Sequence, residues 1–393
     1  MPKTRVPFAI DGAITIGLIR DLEGFLALRQ EWDALFERAA LPQQVFQSHV
    51  FLRHWAEHYL DRHSALSIVT LRRHGRLVMV WPLIRQRRCS LDTLRFMGIP
   101  VAQFGDVLVE EEDGDTLLQS GWRAVRMLHA DLFEARKLRA DSVLARSGLL
   151  DDAQRSEQLE APFADLAWRV GEKGPSLAYP SRERSNHRRR LRRLEERGAI
   201  SFHTPAPGPE AALLASAAVA MKQASLTRHG IIAPTVDDPR FSAFFRDFAG
   251  DAAGGTSLRI SSIHCNGVPI GIDLSLDCKG RSFGHVIATH PDHERGGVGK
   301  MLVHHSFASA RARDNTIFDL LAPADAYKLE HADGQVGVTD LLLPLSLKGR
   351  LVCGLGIQHW RPALKSAAKR LPPGIARRVA AWNKGENAQN GLR

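Results

Sequence analysis

No apolar run in this 393-residue chain approaches the ~20 residues needed to cross a bilayer. The densest, Leu77-Val78-Met79-Val80-Trp81-Pro82-Leu83-Ile84, has the length of a strand. The opening MPKTRVPFAIDG lacks the apolar core and small-residue cleavage site of a signal peptide, so a cytoplasmic location is expected. Cysteine is scarce. Cys89, Cys265, Cys278 and Cys353 are scattered without CxxC spacing, which leaves no zinc knuckle or disulfide framework to read and no metal to expect. Tyrosine is scarcer still, with Tyr59, Tyr179 and Tyr327 only.

Positive charge, by contrast, is plentiful. The net charge is +10, and it is unevenly placed. Residues 361–393 hold Arg361, Lys365, Lys369, Arg370, Arg377, Arg378, Lys384 and Arg393 against the single acid Glu386. A second basic block is SRERSNHRRRLRRLEERG, from Ser181 to Gly198. An anionic partner follows: nucleic acid, a membrane surface or a phosphate-bearing substrate. Nucleic acid is the weakest of these, because no binding motif is present and no aromatics interleave the arginines.

The length suggests two domains. The apolar spacing predicts helices over 21–40, 45–60 and 121–135, with strands over 66–73, 74–88, 91–98 and 137–144. From Asp151 to Pro180 the periodicity weakens, and EKGPSLAYPS reads as a junction. Beyond it come an Arg-rich helix ending at Gly198, a strand AISFHT, a helix over 209–229 and a short helix over 241–248. Three strands follow, SLRISSIHC, PIGIDLSLDC and RSFGHVIATH, then a helix to about Ala312 and the strand TIFDLLA. Residues 340–352 read as a terminal strand pair. The fold class is α/β with a mixed sheet.

The segment HPDHERGGVGKMLVHH, residues 290–305, places Gly296, Gly297 and Gly299 at the start of a helix. A helix N-terminus leaves N–H groups without intrahelical partners and carries partial positive charge. Glycines let a phosphate approach that backbone closely. A Walker A loop fails here, since Glu294 stands where its first Gly belongs and Met301 follows Gly299-Lys300. A GxGxxG dinucleotide loop fits Gly297 and Gly299 but meets Leu302 at its third position. A glycine-rich turn without a ligand is the bland alternative.

Glu294-Arg295-Gly296-Gly297-Val298-Gly299 resembles the acyl-CoA loop of the GNAT acetyltransferases, Gln/Arg-x-x-Gly-x-Gly/Ala between a strand and a helix. Glu294 departs from the usual first residue, and Arg295 beside it can supply the cation. Arg182 to Gly198, MKQASLTRHGI, GVPIGIDLSL and FDLLAPADAYKLEH resemble the CelD-like branch of that superfamily, related to the FemAB aminoacyl transferases. EWDALFERA, FQSHVFLRHWAEHY, GRLVMVWPLIRQRR and FGDVLVE extend the likeness to about residues 20–350. The resemblance implies two tandem GNAT-like acyl-CoA N-acyltransferase folds, with the donor loop in the second alone, followed by a basic helical tail. The expected boundaries are 1–165, 166–352 and 353–393. Many members carry a Ser-Pro-Gly-like loop, so ERGGVG favours acetyl-CoA or another acyl-CoA over an aminoacyl-tRNA donor.

What the resemblance implies for the site is specific. Backbone N–H groups of Val286, Ile287 and Ala288, on a strand that splays from its neighbour, would bind the thioester carbonyl. Arg295, Gly296, Gly297, Val298, Gly299 and Lys300 would cradle the diphosphate. Tyr327 follows the next strand, where GNAT enzymes often place a general acid; a packing tyrosine is the alternative. Asp319 is charged inside an apolar strand, which suits amine binding, base work or a structural salt bridge. His285 alternates with Phe283 and Ile287 and reads as a base or as a packed histidine. His290 is equally open, while His304 and His305 read as structural.

Arg188, Arg189 and Arg192 form either a solvated face or a clamp for an anionic acceptor, such as a nucleotide sugar or lipid-linked glycan. Lys328 either contacts phosphate or is a solvated helix residue. The tail mixes Trp360, Leu364, Leu371, Ile375, Val379 and Trp382 with cations, which suits peripheral membrane contact, an anionic regulatory nucleotide or a docked helix. The function expected from the resemblance is acyl transfer to a sugar or glycan precursor in exopolysaccharide or cell-envelope biosynthesis. The alternatives are a long-chain acyltransferase acting on a lipid amine, and an idle GNAT fold used as a nucleotide sensor.

Overall fold

A computed structural model describes residues 8–355 apart from 11–13, 89, 168–169, 172–173, 178–180 and 253–256. The expected basic tail, beyond its first three residues and including every cation from Arg361 onward, lies outside the described residues. The first half runs through β1 (Phe8–Ile10), β2 (Ile14–Ile19), α1 (Leu22–Ala27), α2 (Arg29–Ala39), α3 (His49–Tyr59), β3 (Ser64–Leu66), β4 (Ile68–Arg73) and β5 (Arg76–Trp81). It continues with β6 (Leu83–Arg88), β7 (Leu91–Phe96), β8 (Leu108–Val109), α4 (Gly114–Arg126), β9 (Leu132–Arg139) and α5 (Val143–Arg146). The second half begins with β10 (Gln154–Asp165), β11 (Val170–Gly171), β12 (Gly174–Leu177), α6 (Ser181–Glu195), β13 (Ile200–His203), α7 (Pro209–Arg228) and α8 (Pro239–Gly250). It closes with β14 (Leu258–Cys265), β15 (Val268–Cys278), β16 (Arg281–Thr289), α9 (Val298–Ala312), β17 (Ile317–Asp319), α10 (Ala326–Leu329), β18 (Gly334–Pro344) and α11 (Leu347–Gly354).

One mixed sheet carries both halves, in the order β13-β14-β15-β16-β17-β10-β18-β9-β7-β6-β3, and a smaller sheet is ordered β1-β2-β4-β5-β8. The same motif occurs twice. A strand, a helix and a second strand parallel to the first are found as β7, α4 and β9, and again as β16, α9 and β17. Each parallel pair is short, with three partnered residues: Thr93↔Leu132 to Arg95↔Glu134 in the first half, and Arg281↔Ile317 to Phe283↔Asp319 in the second. The α/β fold of tandem GNAT-like units is thereby present.

Four differences from the sequence reading have physical causes. Residues 154–165 form β10, the strand between β17 and β18, although their Gln/Glu/Arg content gives little strand propensity. Tertiary pairing on both edges supplies what propensity does not. The expected boundary at 165/166 therefore follows a strand bonded on both sides to the second half, while β18 pairs with β9 of the first. The run 74–88 is two strands, because Pro82 donates no N–H and the chain changes sheets there. Residues 132–135, expected at the end of a helix, open β9, and 347–354, expected in a strand pair, form α11.

The larger core lies between the second-half sheet and α7, α8 and α3. Phe241, Phe244, Phe245 and Phe248 recur at helical spacing along α8 and are all buried. Phe51 of α3 meets Phe244 edge-on with ring centroids 5.2 Å apart. These rings tie the two halves together and fix α7 over β15 and β16.

Candidate active site

Strand β16 is where the site begins. It stays paired with β15 along its length, from Cys278↔Arg281 to Gly271↔Thr289. Its partnership with β17 on the other edge ends at Phe283↔Asp319. Residues 284–289 therefore pair with β15 alone, which leaves a gap in the pairing between β16 and β17. The parting coincides with a β-bulge, in which Leu274 and Ser275 oppose Val286 and Gly284 and His285 is the extra residue. A bulge twists and re-aims its strand, which turns 286–288 away from β17.

The glycine loop follows the singly paired end of β16. Residues 291–296 form a 3-10 turn, and α9 starts at Val298 with Gly297 as its N-cap. Gly297 has φ +78°, in the left-handed region that suits glycine, and no side chain caps the helix. The first intrahelical donor is Met301 N–H, which bonds the Gly297 carbonyl at 3.2 Å. Gly271 on β15 lets α9 lie close, since a Cβ there would meet Val298 at 2.9 Å. The methyl of Thr289, at the end of β16, is 3.8 Å from where a Gly299 Cβ would stand. Helix mouth and splayed strand are thus adjacent, as the sequence reading requires.

A cation that the sequence reading did not single out lies at this loop. The Arg295 side chain lies outside the described residues, and Lys300 is paired with Glu330. Arg190 of α6 runs over the loop, with its Cδ 2.7 Å from where a Cβ on Gly297 would sit. Leu194, one turn on, is buried against Gly296, and Arg197 donates to the Asp292 carbonyl at 3.4 Å. Arg188, Arg189 and Arg192 are exposed on α6, and Arg189 donates to Asn186 at 3.3 Å. The Arg-rich helix is therefore not purely a solvated face. One edge of it covers the glycines.

The first-half counterpart of α9 has the opposite electrostatics. Glu110, Glu111, Glu112 and Asp113 lead into α4. Glu110 pairs with Arg38 and Arg76, and Asp113 with Arg73. Carboxylates suit a helix N-terminus and repel a diphosphate.

Tyr327 and Lys328 lie on α10, after the turn that follows β17. Tyr327 is 41% exposed. Partial burial, with the Asp325 and Asp273 carboxylates nearby, pushes its phenol above the ordinary range, so it holds its proton and can donate it. Lys328 is buried, and its ammonium donates to the carbonyls of Leu321 and Pro323, both at 2.9 Å, with Asp325 at 3.7 Å. Burial lowers it to about 8. A residue held by three acceptors pins the turn; it is neither the solvated helix residue nor the free phosphate contact expected.

Two expected catalytic side chains are engaged elsewhere. Asp319 is fully buried and accepts from Arg139 Nη1 at 2.6 Å and from Leu321 N–H at 3.0 Å. Burial opposes the charge on Arg139, and the Asp141 and Asp319 carboxylates outweigh it, so Arg139 holds its proton more tightly than usual. The structural salt bridge is the reading of Asp319 that the geometry supports. His285 donates through Nε2 to the Val101 carbonyl of the first half at 2.7 Å, ringed by Phe46, Phe241 and Phe245. Burial depresses it to about 4. It is a neutral packed residue at the bulge, with its Nδ1 buried and without a hydrogen-bond partner among the described residues. His290 is half-buried 3.8 Å from Asp292, His304 meets Glu183 at 3.1 Å, and His305 packs on Phe202.

The sequence reading overlooked Lys222. It projects from the middle of α7, and its ammonium lies 3.4 Å from the Ile287 carbonyl, within the part of β16 that has left β17. Lys222 falls in MKQAS, the one charge in the Ala-rich run between Glu210 and Arg228 of α7, and that was the available signal. Among the described residues no group of three or more His, Cys, Asp or Glu could hold a metal, and no helix is long and apolar enough to cross a membrane.

Residues 181–329, from the first residue of α6 to the last of α10, match the family described as acetyltransferase (GNAT) domain. No curated protein matches the sequence. FemX is structurally similar at 11% identity, over 82% of this chain and 97% of that one, with a TM-score of 0.55. The C-terminal DUF2156 domain of a candidate lysylphosphatidylglycerol synthetase from Agrobacterium fabrum is similar at 11% identity, over 85% and 97%, with a TM-score of 0.50. A conserved protein of unknown function from Bacteroides thetaiotaomicron is similar at 9% identity, over 81% and 97%, also at 0.50. The chain has the GNAT acyltransferase fold, with its family match spanning the gap, the glycine loop and α10.

Proposed function

We propose that the second half binds an acyl-CoA, with acetyl-CoA the favoured donor, and transfers its acyl group to an amine or hydroxyl of a sugar or glycan precursor. The observation that carries this is the uncapped mouth of α9 beside the splayed end of β16. The N–H groups of Val298, Gly299 and Lys300 have no intrahelical acceptors there, and a diphosphate supplies them. Arg190 adds a charged donor, and the gap leads the pantetheine arm toward 286–288.

In the reaction, the acceptor nucleophile attacks the thioester carbon. The new C–N or C–O bond forms, and the C–S bond breaks through a tetrahedral oxyanion. Backbone donors of β16 hold that oxygen, Tyr327 gives its proton to the leaving thiolate, the proton the acceptor loses passes to solvent, and solvent returns one to the Tyr327 phenolate. The finer assignment, to the CelD-like branch and to envelope or exopolysaccharide precursors, rests on the motif order over residues 20–350 and on the cationic segments. Residues 361–393 would bring the protein to a membrane that presents a lipid-linked, anionic acceptor.

Thiol release from acetyl-CoA and long-chain acyl-CoAs, followed against a panel of amino sugars and lipid amines, tests the reading. Acceptor-dependent release with acetyl-CoA and an amino sugar is expected, lowered at least tenfold in Tyr327→Phe, in line with loss of a general acid. Release that responds only to lipid amines and long chains would contradict the acceptor assignment.

A further inference from the structure

We propose that Lys222 is a second electrophile of the active site, its ammonium donating to the thioester oxygen alongside the β16 backbone and stabilising the oxyanion. The inference rests on the acyl-CoA reading above and concerns a residue that reading does not need. Lys222 extends from α7 toward the strand edge, and its one hydrogen-bond partner among the described residues is the Ile287 carbonyl at 3.4 Å. That contact is long for an ammonium, which has three protons to place. The Nζ therefore stands beside 286–288 with donor capacity to spare, where an acyl oxygen would lie.

Lys328, across the gap, is the contrast. Its ammonium donates to two carbonyls at 2.9 Å with Asp325 3.7 Å away, so it holds the turn and has less to offer a ligand. The charged or titratable groups facing Lys222 are Asp325 and Lys328 from that turn. α8 meets α7 through phenylalanines, and β16 brings the neutral His285, its Arg281 lying at the other end of the strand against Asp319. Asp273 of β15 lies on the opposite face, toward α9, as Gly271 two residues earlier does. Asp325 favours the charged form of Lys222, and burial moves its titration below the ordinary lysine range. A donor inside a gap that excludes water acts more strongly on a developing oxyanion than one in solvent.

The test needs no acceptor. Acetyl-CoA labelled with 13C at the thioester carbonyl is bound to the full-length protein, and the C=O stretching frequency is read by difference infrared spectroscopy, with affinity measured by calorimetry. A downshift is expected in the wild type. Lys222→Gln should lose about half of it or more, Lys222→Arg should keep most of it, and Kd should change by no more than about threefold, because the diphosphate sits elsewhere. In the wild type the downshift should fade as pH rises through a value below that of an ordinary lysine, whereas backbone donors alone would give a pH-independent shift. An equal downshift in wild type and Lys222→Gln, unchanged with pH, overturns the role of Lys222 and leaves acyl-CoA binding standing. Absence of acetyl-CoA binding by the wild type overturns the acyl-CoA reading and this inference with it.

Discussion

Replacing Asp319 by asparagine separates structure from chemistry at the base of the gap. The carboxylate is fully buried, and the asparagine oxygen can still accept from Leu321 N–H. What disappears is one of the two carboxylates that hold the buried Arg139, the other being Asp141 at 2.8 and 3.0 Å. Losing one buried charge-assisted hydrogen bond while Asp141 keeps Arg139 paired costs roughly 1.5–3 kcal/mol. With a urea slope of about 3 kcal/mol per molar, the unfolding midpoint should fall by about 0.5–1 M. Tryptophan emission reports it, since Trp32, Trp55 and Trp81 are buried. Arg139→Met should fall further, by about 1 M or more, because it leaves the buried Asp319 without its nearest cation. Pairing Arg139→Met with Asp319→Leu should recover part of that loss, since the remaining Asp141 carboxylate is 42% exposed and can be hydrated. Coenzyme A binding by the folded Asp319→Asn protein should be near normal. An Asp319→Asn protein as stable as wild type but depressed a hundredfold in thiol release would refute this, and would return Asp319 to the chemistry.

Arg190→Ala should weaken coenzyme A by about tenfold, the order of one partly exposed charge-assisted contact, and should flatten the salt dependence of Kd; Arg189→Ala should do neither. His285 should make the fold acid-sensitive. Its folded value, about 4, lies below its unfolded value near 6.5, so the unfolded chain takes up the proton first. Relative to His285→Gln, the wild type should lose about 3 kcal/mol between pH 6.5 and 4 and nothing above 7, as read by unfolding midpoints at each pH.

How far the sequence revealed this site depends on whether a feature is local. The glycines, the strand before them and the helix after them form one contiguous signal, and their arrangement was legible. So was the position of Tyr327 after the next strand. The partners of Asp319 and His285 were not, because Arg139 and Val101 lie about 180 residues away, in the first half of the chain. A charged residue inside a strand shows that some partner exists and leaves its identity open. Arg190 was hidden among six other arginines of α6, since only packing against Gly297 decides which edge of α6 faces the loop. β10 was hidden because its polar alternation carries little strand propensity; its place comes from β17 and β18.

The account depends on the N–H groups at the start of α9 receiving a diphosphate. Calorimetric titration of coenzyme A into the wild type and Gly297→Val measures this directly. A side chain at φ +78° costs about 1–2 kcal/mol in backbone strain, and its Cβ would also collide with Arg190, so the loop must move. One site per chain is expected in the wild type, with affinity at least tenfold weaker in the variant. No heat of binding in the wild type, or equal affinity in both proteins, would contradict the account.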